Sequence, residues 1–237
     1  MTPEQIRSRV LFRDGQVLIV DKPAGLAVHA GPSGGESLRD YLSELRFGIL
    51  PQPEPAHRLD RDTSGCLVLG RTKKAIVRLG RLFSSGQVRK TYWAVVVGRP
   101  PADAGSVDYP LLKKNSRAGW HVQVDPSGQP SLTTYRVVGA GDGLAWLALE
   151  PKTGRTHQIR VHLAAIGCPI LGDPVYGADR SRAKEHQLHL HAREIRVPYY
   201  ARRELLKAIA EVPDHMKAML RVCGWKDGPR LPVGSAA

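Results

Sequence analysis

Short runs of consecutive apolar and β-branched residues recur along the 237-residue chain, separated by Gly, Pro and charged positions. Val17-Leu18-Ile19-Val20, Cys66-Leu67-Val68-Leu69, Tyr92-Trp93-Ala94-Val95-Val96-Val97, Thr133 to Val138 and Leu144 to Leu149 have strand length and strand composition, and are predicted as strands. Helical periodicity is scarcer. Thr72 is placed to cap a helix whose Ile76, Leu79 and Phe83 line one face while Lys74, Arg78 and Arg81 line another, with Gly86 ending it. A second helix is predicted from Thr156 to Gly167. Strand runs without a regular helix between each pair indicate an α+β fold with a mixed, largely antiparallel sheet and flanking helices, not a doubly wound parallel one.

Stretches rich in Gly and Pro at 31–35, 51–55, 100–105 and 126–130 read as loops, and none has the length of an interdomain linker. With 42% hydrophobic residues the chain can bury a substantial core as one domain or two closely joined halves. The first core segment is Val10-Leu11-Phe12, so residues 1–9 are expected to be an N-terminal extension and 10–226 the main domain. Residues 227–237, without apolar periodicity, are expected to be a flexible tail.

Charge changes the picture. There are 35 Lys and Arg against 22 Asp and Glu, for a formal +13, so a polyanion is the expected partner. The excess is local: from Arg58 to Tyr92 nine side chains are basic and only Asp60 and Asp62 are acidic. No apolar run approaches the roughly 20 residues that cross a bilayer, and the N-terminus lacks the basic-then-apolar order of a secretion signal, so a cytoplasmic location is expected. Cys66, Cys168 and Cys223 are odd in number and widely spaced, which suits neither a disulfide framework nor paired zinc ligands.

Within the basic segment, His57-Arg58-Leu59-Asp60-Arg61-Asp62-Thr63-Ser64-Gly65 sets Asp60 between two arginines and directly before a turn-forming Thr-Ser-Gly. A carboxylate crowded by guanidinium groups keeps its charge, and a following turn presents it at the mouth of a cleft, which makes Asp60 a candidate catalytic residue. Asp60-Arg61-Asp62-Thr63 also partly matches the Asp-x-Asp-x-Thr pattern of Mg²⁺-dependent phosphohydrolases, but its Thr comes one residue early and no buried strand precedes Asp60.

The nine-residue run resembles the signature of the RluA family of RNA pseudouridine synthases. The resemblance extends in order through Val20-Asp21-Lys22-Pro23-Ala24-Gly25-Leu26-Ala27-Val28-His29, through Lys90-Thr91-Tyr92, and through Lys152-Thr153-Gly154-Arg155-Thr156-His157-Gln158-Ile159-Arg160-Val161-His162, covering roughly Val10 to Val197. It implies the pseudouridine synthase fold with a central catalytic cleft. It also implies isomerisation of uridines in structured ribosomal or transfer RNA, Asp60 as the catalytic aspartate, Tyr92 as the residue at the target base and Arg160 as the ion-pair partner of Asp60. With so few residues before the first core segment, no small RNA-binding domain of the kind many relatives carry is expected at the N-terminus.

Such a reaction breaks the N1–C1′ bond, turns the base and rejoins it through C5 with no redox change. It needs an ionised carboxylate at the sugar, a closed pocket and a base for the C5 proton. Asp60 can serve as nucleophile at C1′ or as base at the 2′ position, and both routes stay open. The target base must also be flipped from its stack, at a cost of a few kcal/mol; Arg58 either fills the vacated space or is structural. Arg155, ahead of the second helix, suits phosphate together with the helix's N–H groups. Thr63 and His157 are further candidate substrate contacts, as are Ile159 and Leu163, although these two also read as helix core. Tyr92, after Arg89 and Lys90, reads either as a packed strand aromatic or as the base contact. Lys74, Arg78 and Arg81 form a candidate RNA-tracking stripe.

His157 and His162 lie five apart, about 140° around a helix, and cannot act together as zinc ligands. No metal and no organic cofactor are expected, and the chain is expected to act as a monomer with no obligatory protein partner. A non-catalytic RNA-binding module is the remaining alternative class, and the presence of every implied reactive residue argues against it.

Overall fold

A computed structural model describes residues 1–31, 34–116, 119–177, 185–201 and 204–226. The expected flexible tail, 227–237, lies outside the described residues. The chain divides into two compact units, one built from the described residues of 1–90 and 192–211 and the other from those of 91–191 and 212–226.

In the first unit, strands β1 (Val10–Arg13) and β2 (Val17–Lys22) form a hairpin, and β2 pairs antiparallel with β4 (Ser64–Gly70). The two-residue β3 (Glu54–Pro55) also pairs with β4. β11 (Leu190–Val197), most of which lies here, stands beside β4 and carries β12 (Leu206–Ile209) antiparallel on its far side. All seven residues of β4 are buried, as its unbroken apolar run requires. Gly65 is left-handed at φ 108° and a Cβ there would collide with the Ala192 backbone of β11. The expected turn residues Thr63-Ser64-Gly65 therefore divide differently: the turn ends at Thr63, while Ser64 and Gly65 already belong to the sheet, where Gly65 is required by close backbone approach.

Helix α2 (Lys73–Ser84) starts where expected, with Thr72 Oγ1 accepting the Ala75 N–H at 3.1 Å. Its Ala75 and Leu79 pack with Val17, Ile19, Cys66, Val68, Ile195 and Val197 into the unit's core. Two short elements escape the periodicity reading: α1 (Pro3–Arg7), capped by Thr2, and a 3₁₀ turn at Leu38–Leu45. The N-terminal extension is thus partly helical, and Ile6 is fully buried.

In the second unit, β5 (Arg89–Val97, from Thr91 onward), β10 (Leu144–Pro151), β9 (Leu132–Gly141) and β6 (Ala104–Asp108) lie in that order, each pair antiparallel. Strands β7 (Leu111–Ser116) and β8 (Gly119–Val124) form a separate hairpin. Helix α3 covers Gln158–Ala165, two residues later at its start than Thr156 suggested, because His157 adopts a left-handed φ of 53°. A further helix, α4 (Asp214–Val222), buries Met216 and Leu220 against Val95, Trp146 and Leu171. Its C-terminal backbone crosses β9 so closely that a Cβ at Gly139 or Gly141 would overlap the Cys223 or Val222 carbonyl oxygen. The architecture is the expected α+β with a mixed, largely antiparallel sheet. All three cysteines are buried thiols.

His57 ties the segment before Asp60 to β4. Its Nε2 accepts the Val68 N–H at 3.0 Å and its ring stacks on Phe83 of α2, centroids 4.4 Å apart. Burial, helped by the Lys90 charge, pushes its pKa from 6.5 down to about 3. The unfolded chain therefore takes up this proton first, and the stabilisation, complete above the ordinary histidine pKa, is lost as pH falls through that window. In His57→Gln, whose amide oxygen can accept the same bond without titrating, the fall of unfolding free energy between pH 6.5 and 4 is expected to be shallower by up to ~1.4 kcal/mol per pH unit, one proton's worth. Chemical denaturation across that range checks it; equal slopes would contradict it.

Candidate active site

Asp60 opens a tight turn that closes with the Thr63 N–H donating to its own carbonyl at 3.2 Å. Leu59 on one side and Thr63 and Ser64 on the other are buried at 4%, 2% and 2% exposure, so the turn is pinned at both ends while Asp60 stays half-buried and Arg58 exposed. What holds the turn is Lys22, the last residue of β2. Its side chain is completely buried, and Nζ donates to the carbonyls of Pro23 at 2.8 Å, Leu26 at 2.7 Å and Arg61 at 2.9 Å. Three donors meet three acceptors, two in the loop after β2 and one in the Asp60 turn.

Loop and turn also bond directly. The Gly25 N–H donates to the Arg61 carbonyl at 3.0 Å, and Arg61 Nε returns a bond to the Gly25 carbonyl at 3.0 Å. Gly25 reaches this position at φ 85°, a conformation that favours glycine. Burial depresses the Lys22 pKa to about 7, while Asp62, Asp60 and Asp21 pull it back upward. The sequence predicts two guanidinium groups around Asp60; the structure turns the Arg61 Nε to Gly25 and adds a buried ammonium among the three carboxylates. The signal for Lys22 is present in the chain: a charged pair, Asp21-Lys22, closes a strand whose four preceding residues are fully buried. Asp21 is likewise perturbed, raised to about 6 chiefly by burial and opposed first by Arg9, 3.4 Å away.

The predicted stripe on α2 is exposed at all three positions, Lys74, Arg78 and Arg81. Arg78 does not point only to solvent: its guanidinium lies over the Tyr199 ring, 5.0 Å from the centroid.

In the second unit, Tyr92 stands on β5 opposite Leu149 and is 9% exposed. Arg160 on α3 is buried and grips Asp173 with two parallel bonds, Nε to Oδ2 at 2.7 Å and a terminal nitrogen to Oδ1 at 2.8 Å. Asp173 Oδ1 also accepts the N–H groups of Val175 at 2.9 Å and Tyr176 at 3.0 Å. Burial works to raise the Asp173 pKa, but the Arg160 fork and these backbone donors outweigh it and hold the carboxyl below its usual range. Asp173 is not among the residues that the sequence singles out. Its marker is Gly172-Asp173-Pro174, where a left-handed glycine delivers an acidic residue in the loop that follows α3.

Tyr176 links Arg160 to His157. The guanidinium sits over its ring at 5.2 Å, and its hydroxyl lies 2.8 Å from His157 Nδ1 while accepting the Val122 N–H at 3.0 Å. Gln158 secures the start of α3, donating to the Leu132 carbonyl and Thr133 Oγ1, and accepting from Thr153 Oγ1 and the Arg155 N–H. The Arg155 side chain is exposed and its Nε donates to the Pro130 carbonyl at 3.3 Å. Leu163 is fully buried and Ile159 nearly so. His162 is a buried structural histidine, with Nδ1 3.0 Å from Thr133 Oγ1 and Nε2 near Ser131 Oγ and the Tyr109 carbonyl. It shares no partner with His157 among these bonds.

Residues 16–165 match the RNA pseudouridylate synthase family. An uncharacterized RNA pseudouridine synthase of Zymomonas mobilis is 44% identical over 211 residues, covering 88% of this chain and 94% of the relative. The dual-specificity RNA pseudouridine synthase RluA of Escherichia coli K12 is 37% identical over 205 residues, covering 85% and 93%. Among solved structures, human RNA pseudouridylate synthase domain containing 4 superposes with a TM-score of 0.79 at 28% identity, over 94% of this chain and 95% of that one. Matches that take in the clasped Asp60 turn, β5 and the start of α3 together show that the chain belongs to the RNA pseudouridylate synthase family, isomerases that convert uridine in RNA to pseudouridine.

Proposed function

We propose that this chain isomerises specific uridines in structured ribosomal or transfer RNA, with Asp60 as the catalytic carboxylate. The observation that carries the assignment is the clasp of Lys22, Gly25 and Arg61, which fixes the backbone of the Asp60 turn while leaving Asp60 half-buried. A carboxylate that must meet C1′ or the 2′ proton within a fraction of an ångström gains from such a rigid mount. Tyr92 is assigned to the target base, with its oxygen, ionised as the phenolate, taking the C5 proton and ending as the phenol. Arg160 is assigned as the partner of Asp60; two of its five N–H donors go to Asp173, which sets the plane of the guanidinium. Because the reaction changes neither oxidation state nor composition, it needs no external oxidant, reductant or group donor, and it is expected to proceed without a metal or organic cofactor. Arg58, Thr63, Arg155 and His157 are assigned to the RNA. The protein is expected to work in the cytoplasm as a monomer, and no described helix is long and apolar enough to cross a membrane.

Asp60→Asn keeps shape but can act neither as nucleophile nor as base. Tritium release from RNA labelled at uridine C5 is expected to fall by at least ~100- to 10,000-fold while RNA binding persists. Substantial residual release would remove Asp60 from the chemistry. Excess chelator should leave release unchanged as long as the RNA fold is intact.

Tyr92→Phe retains the ring and removes only the hydroxyl, so steady-state turnover is expected to drop by ~100-fold or more with little change in binding. Near-normal turnover would return Tyr92 to a packing role.

Replacing Lys74, Arg78 and Arg81 together with Gln is expected to weaken RNA binding and to flatten its salt dependence by roughly 0.7 for each phosphate that the stripe neutralises. Arg78 also gives up its place over Tyr199, worth about 0.5–1 kcal/mol of stability at an exposed site, so thermal unfolding accompanies the titration. An unchanged salt slope would move the RNA path off α2.

A further inference from the structure

Trp120 has no role in the chemistry assigned above, yet its setting is unusual. It is 44% exposed, whereas Trp146 is 8% exposed and Trp93 and Trp225 are half-buried. Leaving so large an apolar surface in water forgoes stabilisation that burial would supply. The residue is nonetheless held firmly. It sits on β8 opposite Asn115 of β7, and the register puts Lys113, Asn115, Trp120 and Val122 on one face of the hairpin. An isolated two-stranded hairpin is marginal in water, and this one is anchored through Leu111 and Val122, which bury against Val161 of α3 and Tyr176. The Val122 N–H bond to the Tyr176 hydroxyl adds a polar tether.

On the same face, the Lys113 ammonium stands 4.5 Å from the centre of the Trp120 ring, and the ring leans on His157 at 5.0 Å with a 33° tilt. His157 is joined through the Tyr176 hydroxyl to the ring under Arg160. A positioned, exposed indole carrying a cation is the combination that single-stranded RNA binds, with the base stacking on the ring and the cation meeting the adjoining phosphate. The connection through His157 and Tyr176 to Arg160 places this platform beside the helix that carries the candidate site.

We propose that Trp120 is a stacking platform for an unpaired base of the substrate RNA neighbouring the target uridine, with Lys113 contacting the phosphate of that nucleotide. This rests on the RNA-isomerase reading and adds to it a substrate-binding contact on the β7–β8 hairpin. The stacked base supplies binding and orientation and takes no part in bond making, so loss of Trp120 acts on affinity.

The test uses the full chain with a fluorescein-labelled RNA hairpin whose loop contains unpaired uridines, followed both by equilibrium binding and by C5 tritium release. Trp120→Ala is expected to weaken binding by roughly 5- to 150-fold with an unchanged salt slope, and Trp120→Phe to stay within a few-fold of the unmodified protein. Lys113→Gln is expected to lower the salt slope by about 0.7. The RNA is expected to quench tryptophan emission in the unmodified protein and to do so far less in Trp120→Phe, a readout that holds even if Trp120→Ala folds poorly. Binding by Trp120→Ala equal to the unmodified protein, quenching unaltered in Trp120→Phe, or no binding of the hairpin at all would overturn the proposal. Weakened binding in Trp120→Ala when the unmodified protein binds yet releases no tritium would uphold the platform and count against the isomerase reading; normal release with unimpaired binding by Trp120→Ala would do the reverse.

Discussion

A single buried ammonium organises the candidate catalytic turn. Transferring a lysine charge out of water costs several kcal/mol unless every donor is met, so Lys22 can occupy its site only if three acceptors converge on it. They come from two separate stretches of chain, Pro23 and Leu26 in the loop after β2 and Arg61 in the Asp60 turn. The electrostatic demand of one side chain thereby fixes the spacing between loop and turn. Asp60 inherits its position from that demand. Asp60, Asp62 and Asp21 return a favourable field, which offsets part of the desolvation and keeps the Lys22 pKa from falling below about 7.

The second unit applies the same logic with the sign reversed. Asp173, 1% exposed, is the buried ion, and its bonds come from the Arg160 fork and two consecutive loop amides. Arg160 is locked as a result, and Tyr176, held by that loop, carries the constraint on to His157 and to the β7–β8 hairpin. In both units a buried charged residue gathers a loop around a candidate functional side chain. Neither ion is replaceable by an apolar residue without leaving backbone groups unpaired.

Legibility in the sequence followed the strength of the local signal. The apolar runs at Val17 and Cys66 became strands because buried strands leave no polar alternation to confuse the pattern, and the partly exposed runs at Tyr92, Thr133 and Leu144 were readable from their β-branched and aromatic residues. Thr72 begins α2 as its side chain and spacing suggest. The start of α3 is displaced because a left-handed His157 is a backbone state that residue type does not announce. Helix α1 has only Ile6 to bury, and α4 gains its stability from a groove opened by Gly139 and Gly141, glycines far away in sequence. The residues that support the candidate site are harder to see than the candidates themselves. Lys22 and Asp173 act through carbonyls and amides of other segments, and such partners carry no side-chain signature.

Whether burial of Lys22 creates the geometry on which turnover depends is tested most directly by amide hydrogen exchange in Lys22→Met, with pseudouridine formation measured on the same preparation. The side chains are similar in size, so the sheet should persist and strand amides of β2 and β4 should remain protected. The Gly25 and Thr63 amides, which close the clasp and the turn, are expected to lose protection selectively, and pseudouridine formation is expected to fall with them. Full protection of both amides together with normal turnover would contradict a clasp built on Lys22.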